Sequence, residues 1–248
     1  MRFDAKGLLI FSLAALLLVT PSFALLAQDS SEGNSEGNQQ PTVVATVNGE
    51  EITDQQLSQS AQVYQIIMTL SQQFRSFAQF LMTSEAGNNF LTEYRKHVLD
   101  QLIDQELQNQ KMEELDIQVT KEDVQDEIDG IISNNDQFES ESDLDDYLQN
   151  NQNTSLDNFK GQIRESLRRE KLREEVTGQV NVTEEEISSY YDQNKNNFTD
   201  QEGNVKSLEE VKGQIEETIE GQKRNEEWNK WLEEARESAD IEKKEENL

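Results

Sequence analysis

The sequence predicts a mainly α chain, an elongated multi-helix array with a short β-strand near each end. Three observations predict it. Pro occurs only at 21 and 41, so the chain from Thr42 onward is free to form long helices. Apolar residues recur there at steps of three and four, the spacing of one helix face. The exceptions lie at the two ends. TVVATV, Thr42 to Val47, is β-branched and alternating, with Val43, Ala45 and Val47 on one side, and ADIEK, Ala239 to Lys243, reads as a closing strand.

Each element has a local reason. Asn48-Gly49 is a tight-turn signal between Thr42–Val47 and Glu50-Glu51-Ile52. Helix starts are marked by capping boxes, in which a Ser or Thr and a later Glu or Gln satisfy orphan N–H groups reciprocally. Thr53-x-x-Gln56, Thr183-x-x-Glu186 and Ser207-x-x-Glu210 fit, and Thr120 and Ser155 begin weaker versions ending in Asp123 and Asn158. The first helix carries Leu57, Ala61, Tyr64, Ile67, Met68, Phe74, Phe77 and Leu81, and Gly87-Asn88-Asn89 is expected to break it. A second stripe runs through Leu91, Tyr94, Val98 and Leu102, and a third through Val124, Ile128, Ile131 and Ile132. A short helix follows around Leu144, Tyr147 and Leu148. Further stripes hold Leu156, Phe159, Ile163, Leu167 and Leu172, then Ile187, Tyr190 and Tyr191, then Leu208 through Ile219 to Trp231.

Composition narrows the function. The 248 residues hold 51 Asp plus Glu against 22 Lys plus Arg, a net charge of -29, which repels nucleic acid and anionic headgroups. There is no Cys and one His, which excludes disulfides, thiolate sites and His-rich metal centres. Apolar residues reach only 33%, below the usual share for a soluble domain of about 45–50% with Gly included. Residues 1–27 read as an export signal: Arg2 and Lys6, the run Gly7 to Val19, then a cut after Ala24 or Ala27. The run is short for a membrane span, yet an uncleaved anchor stays open as the alternative. Residues 28–41, containing SEGN twice, are expected to be a disordered linker. Residues 42–243 are expected to form one domain and 244–248 a disordered tail. The site of action is therefore expected outside the cytoplasm, in a periplasm or cell envelope, with no membrane contact beyond the export signal.

Several stretches carry the mark of a family. VATVNGEEIT (Val44 to Thr53), VLDQLIDQEL (Val98 to Leu107) and LDIQVTKEDV (Leu115 to Val124) come in order, followed by the helix Phe159 to Val176. Then come VNVTEEEISSYYDQNKNNF (Val180 to Phe198) and SLEEVKGQI (Ser207 to Ile215). Together they resemble the SurA N-terminal domain family of the SurA and PrsA extracytoplasmic chaperones, over nearly all of Val43 to Lys243. The resemblance implies that strands and helix from both termini close the domain, and that the partners are unfolded or exported polypeptides. In familiar members a parvulin prolyl isomerase domain follows the equivalent of Phe198. Here only Thr199 to Lys206 precedes Ser207, too little for a domain. The expectation is a chaperone or holdase without the isomerase domain, not an enzyme, needing no cofactor. An envelope adaptor holding one specific partner is the alternative, and an isomerase the third reading.

No residue pattern points to catalysis. His97, in RKHVL, has no nucleophile motif nearby and reads as a surface or packing residue. Asp136 to Asp146 fails as a calcium loop, because Phe138 and Glu141 stand at its third and sixth positions. Glu184-Glu185-Glu186 sits at a helix start, where carboxylates favour the dipole. The acidic excess is spread along the chain, which suits either a halophilic surface or recognition of basic clients. Tyr64, Met68, Phe74, Phe77, Phe80, Leu81 and Met82 are candidates for client contact, since Phe77, Phe80, Leu81 and Met82 cover more than one face and Met and aromatic surface suits promiscuous binding. A core role for most of them is the competing reading.

Overall fold

The computed structural model describes residues 41–248 apart from Gln179 and Gln201. The export signal and most of the linker lie outside the described residues. The described chain is mainly helical with one small sheet, and it divides into two compact units. One contains the described residues up to Ile103, residues 157–162 and Asp240–Leu248. The other contains Asp104–Leu156 and Ile163–Ala239. Residues 42–243, expected to form one domain, span both units.

The first unit is built around strand β1 (Val43–Val47). It pairs antiparallel with β2 (Glu50–Thr53) on one side and with β3 (Ile241–Lys243) on the other. Asn48 and Gly49 both have positive φ (52° and 93°), the conformation that a two-residue turn needs. The pairing register shifts between Val43 and Ala45. This bulge buries two successive residues, Val44 and Ala45, where strict alternation had placed Val43 inside with Ala45 and Val47. The far end of the chain joins the same strand. The Lys244 N–H donates to the Val44 carbonyl at 2.9 Å, and the Asn247 side-chain amide donates to the Val43 carbonyl at 2.8 Å. Residues 245–247 form a 3-10 turn there, where the sequence suggested a loose tail.

The expected first helix is three. Helix α1 (Asp54–Ala61) starts at the Thr53–Gln56 capping box. Gln62, left-handed at φ 48°, separates it from α2 (Val63–Gln73). Phe74, at φ -134° and ψ 55°, separates α2 from α3 (Arg75–Thr83). No Gly or Pro marks either break. The next break falls at Ser84, before the expected Gly87, which lies inside α4 (Glu85–Glu114). The Gly87 N–H donates to Ser84 Oγ at 2.9 Å, a cap rather than a stop. A Cβ on Gly87 would come within 2.4 Å of the Phe80 carbonyl oxygen and 2.5 Å of Leu81 Cα. Glycine is therefore required for close packing of α4 on α3.

The second unit takes the rest of α4, then α5 (Lys121–Ser133), α6 (Glu141–Tyr147) and a π-helical turn at Leu148–Gln152. Next come most of α7 (Leu156–Thr177), then α8 (Glu184–Asn194) and α9 (Leu208–Ser238). Of the five boxes expected, those led by Thr53, Thr120, Thr183 and Ser207 form. Ile187 of α8, Phe198, and Val211, Ile215 and Ile219 of α9 make one buried cluster. Between the two helices an antiparallel bridge joins Thr199 and Val205 as a hairpin. The Lys206 N–H donates to the Phe198 carbonyl at 2.8 Å, and Asp200 Oδ1 accepts from the Glu202 and Asn204 N–H groups, each at 2.8 Å.

Candidate functional site

Helix α3 has two faces of opposite character. Ala78 and Leu81 are buried at 1% and 3% exposure, whereas Phe77, Phe80 and Met82 are 45–51% exposed. Phe77 and Phe80, three residues apart, stack with ring centres 6.4 Å apart. Phe74 at the break is 60% exposed. Helix α2 buries Ile67 and presents Tyr64 and Met68 to solvent. Six of the seven residues expected to meet clients are thus open to solvent, against the core role most of them could have had. Leu81 is the correction: the turn that exposes Phe80 points Leu81 the opposite way, into the core.

Three other exposed apolar residues, Ile66 on α2, Phe90 on α4 and Val205 before α9, were missed. Phe90 was overlooked because Gly87 was read as a helix break. A cleaner signal was available in the charges. Between Gln55 and Ser84 the only charged residue is Arg75, in a chain that is 29% charged. Residues 104–156, by contrast, hold sixteen Asp and Glu and two Lys. The acidic excess is therefore unevenly spread, and the nearly charge-free segment is the one with the exposed aromatics. Arg75 is exposed, and no carboxylate among the described residues pairs with it.

The other candidates resolve into structure. His97 is exposed, with Nε2 3.3 Å from Gln101 Nε2. Phe138 is buried edge-on against Tyr147, with ring centres 5.4 Å apart. Carboxylates in that acidic stretch bind backbone. Asp143 accepts from the Glu139 N–H at 3.0 Å and Asp145 from the Leu156 N–H at 2.9 Å. No group of carboxylates and His among the described residues is arranged to hold a metal ion. Glu186 is held well below the usual carboxylate range, to about 2, by the Lys223 ammonium at 2.6 Å and the Thr183 N–H at 2.8 Å. Asp123 is lowered by the same device, with Lys171 at 2.7 Å and the Thr120 N–H at 3.0 Å. These are caps tied to a neighbouring helix. They tie helices together within the second unit.

Comparison with known proteins gives the lineage. A family model described as PPIC-type PPIASE domain matches residues 182–248. This overturns two expectations, that the isomerase part is missing and that the chain is no enzyme. The gap between Phe198 and Ser207 tested only whether a whole domain could be inserted there. The isomerase-type sequence lies instead across α8, the hairpin, α9 and β3. Foldase protein PrsA of Caldanaerobacter subterraneus subsp. tengcongensis is 32% identical over 160 residues, 63% of this chain and 44% of that protein. Foldase protein PrsA of Clostridium botulinum strain Hall is 25% identical over 203 residues, 79% of this chain and 56% of that protein. The chain thus spans about half the length of the curated relatives it matches. A chain from the structural study of the SurA-like chaperones PEB4 and Cj1289 of Campylobacter jejuni superposes with a TM-score of 0.60 at 14% identity. That match covers 81% of this chain and 98% of the other, and it supports the fold. A model described as SurA-like N-terminal domain matches residues 1–173, well over half the sequence, and the chain belongs to that family.

Proposed function

We propose that this chain is an extracytoplasmic chaperone of the foldase type, which holds unfolded exported polypeptides on the outer face of α2 and α3. One observation carries the reading. A chain of this family keeps Tyr64, Met68, Phe74, Phe77, Phe80 and Met82 in solvent on a segment almost free of charge. Scattered exposed apolar residues need no explanation, but six aromatic and Met residues gathered on two adjoining helices mark an interaction surface. The foldase names of the relatives and the export-signal pattern of residues 1–27 support the same reading. Binding is weak and reversible, because an open surface gains little from shape complementarity and must order its client.

A second activity is favoured by the PPIC-type match: prolyl isomerisation, assigned to residues 182–248. Two assays on the same preparation test both. Suppression of aggregation of a chemically unfolded client is expected at a few-fold molar excess, and its absence rules out the chaperone. Faster cis-trans exchange of a proline peptide is expected from the isomerase, and a rate equal to the uncatalysed one removes that activity alone. Saturable binding to one folded envelope protein, with none to unrelated unfolded chains, would make the protein an adaptor.

A further inference from the structure

Charge decides which occupant the exposed face of α2 and α3 fits. A second copy is disfavoured, since each chain carries a net charge of -29, and the same charge opposes an anionic lipid surface. Within the face itself the situation is reversed. From Gln55 to Ser84 there is no acidic side chain, and the single charge is the exposed guanidinium of Arg75, next to Phe74 and two residues from Phe77. Most other cations of the first unit are already paired. Arg95 lies 2.6 Å from Asp54, Lys96 lies 3.1 Å from Glu93, and Lys243 lies against Asp100. Arg75 has no such partner among the described residues. Charges beyond about 8–10 Å are screened at physiological ionic strength, so at contact range the nearest charges, Arg75 first, weigh more than the net charge of the chain.

We propose that this face docks apolar segments of unfolded chains that carry a carboxylate and no basic residue, with Arg75 as the specificity-determining residue that receives the carboxylate. This rests on the chaperone reading and adds the class of segment selected. A client segment with Lys at the same place would find no carboxylate between Gln55 and Ser84 and would face the guanidinium instead. Because the rest of the contact is apolar, salt weakens the selectivity while strengthening the apolar part of binding.

The test uses the chain as exported by its host and three labelled peptides with one apolar core, flanked by Glu, Gln or Lys. Binding is read by fluorescence anisotropy at about 0.15 M KCl. Only the part abolished by Phe77→Ser with Phe80→Ser counts, which removes capture of Lys peptides by acidic surface elsewhere. The Glu peptide is expected to bind about three- to fivefold tighter than the Lys peptide, the range of an exposed ion pair. Arg75→Gln should remove the difference, and Arg75→Glu should invert it. A ranking unchanged in Arg75→Gln, or a Lys peptide favoured by the native chain, overturns the proposal while leaving the chaperone reading intact. Failure of all three peptides overturns the chaperone reading itself. Self-association or vesicle binding abolished by the two Ser substitutions would replace the peptide with that occupant.

Discussion

Glu186 shows how one side chain ties local and tertiary structure together. It closes the capping box of α8 through the Thr183 N–H and also accepts from Lys223 of α9. Its folded pKa is lowered, to about 2, so its contribution is complete above the ordinary Glu value near 4.5 and is lost as pH falls through about 2. Lys223→Met should raise the Glu186 pKa toward the ordinary range, which carbon-detected NMR titration would read. An unmoved pKa would mean that Thr183 alone sets it. Gln62 offers a second residue-scale check. A left-handed residue other than Gly costs roughly 1–2 kcal/mol, so Gln62→Gly should stabilise the fold by about 0.5–1 kcal/mol in denaturant unfolding despite the entropy of Gly.

Among the elements, the packing of α4 on α3 is the most sensitive. Gly87→Ala gains helix propensity of about 1 kcal/mol but drives a methyl group into the backbone at Phe80 and Leu81. That backbone cannot yield as a side-chain tip would, so a net loss of about 1–3 kcal/mol is expected, the usual scale of overpacking. Thermal unfolding of Gly87→Ala checks it, and an unchanged midpoint would mean that the helices part freely. The same packing fixes the orientation of α3, with Leu81 inward and Phe77 and Phe80 outward. Losing Gly87 should therefore also weaken client binding. The strands have a comparable dependence, because β1 has β3 as its second neighbour.

For the molecule as a whole, charge and chain ends matter most. A net charge of -29 destabilises the compact state at low ionic strength, and at about 1 M salt the Debye length falls to roughly 3 Å. The melting temperature should rise with KCl, and rise less in a variant with several acidic residues of 104–156 changed to Asn or Gln. An equal rise in both would assign the effect to apolar burial instead. Deleting residues 240–248 should destabilise the first unit cooperatively, since β3 and the turn after it cover β1 and carry the Lys243–Asp100 pair. Retention of the intact chain's unfolding transition would show that the terminal strand is dispensable.

Features that depend on a few neighbouring residues were legible in the chain itself. The Asn48-Gly49 turn, the four capping boxes and the helical stripes all close hydrogen bonds or faces within one or two turns. Family kinship was legible too, through motifs in order, although the isomerase-type sequence across residues 182–248 was mistaken for a lead-in and a closing helix. Other features depend on distant partners and could not be read along the chain. Apolar spacing allowed Leu81 and Phe80 equally to face the core, and the tertiary packing of α3 buries Leu81. The bulge in β1 and the breaks at Gln62 and Phe74 have no Gly or Pro to announce them. An apolar residue records only that burial is favourable, and tertiary packing determines which of several apolar residues obtains it.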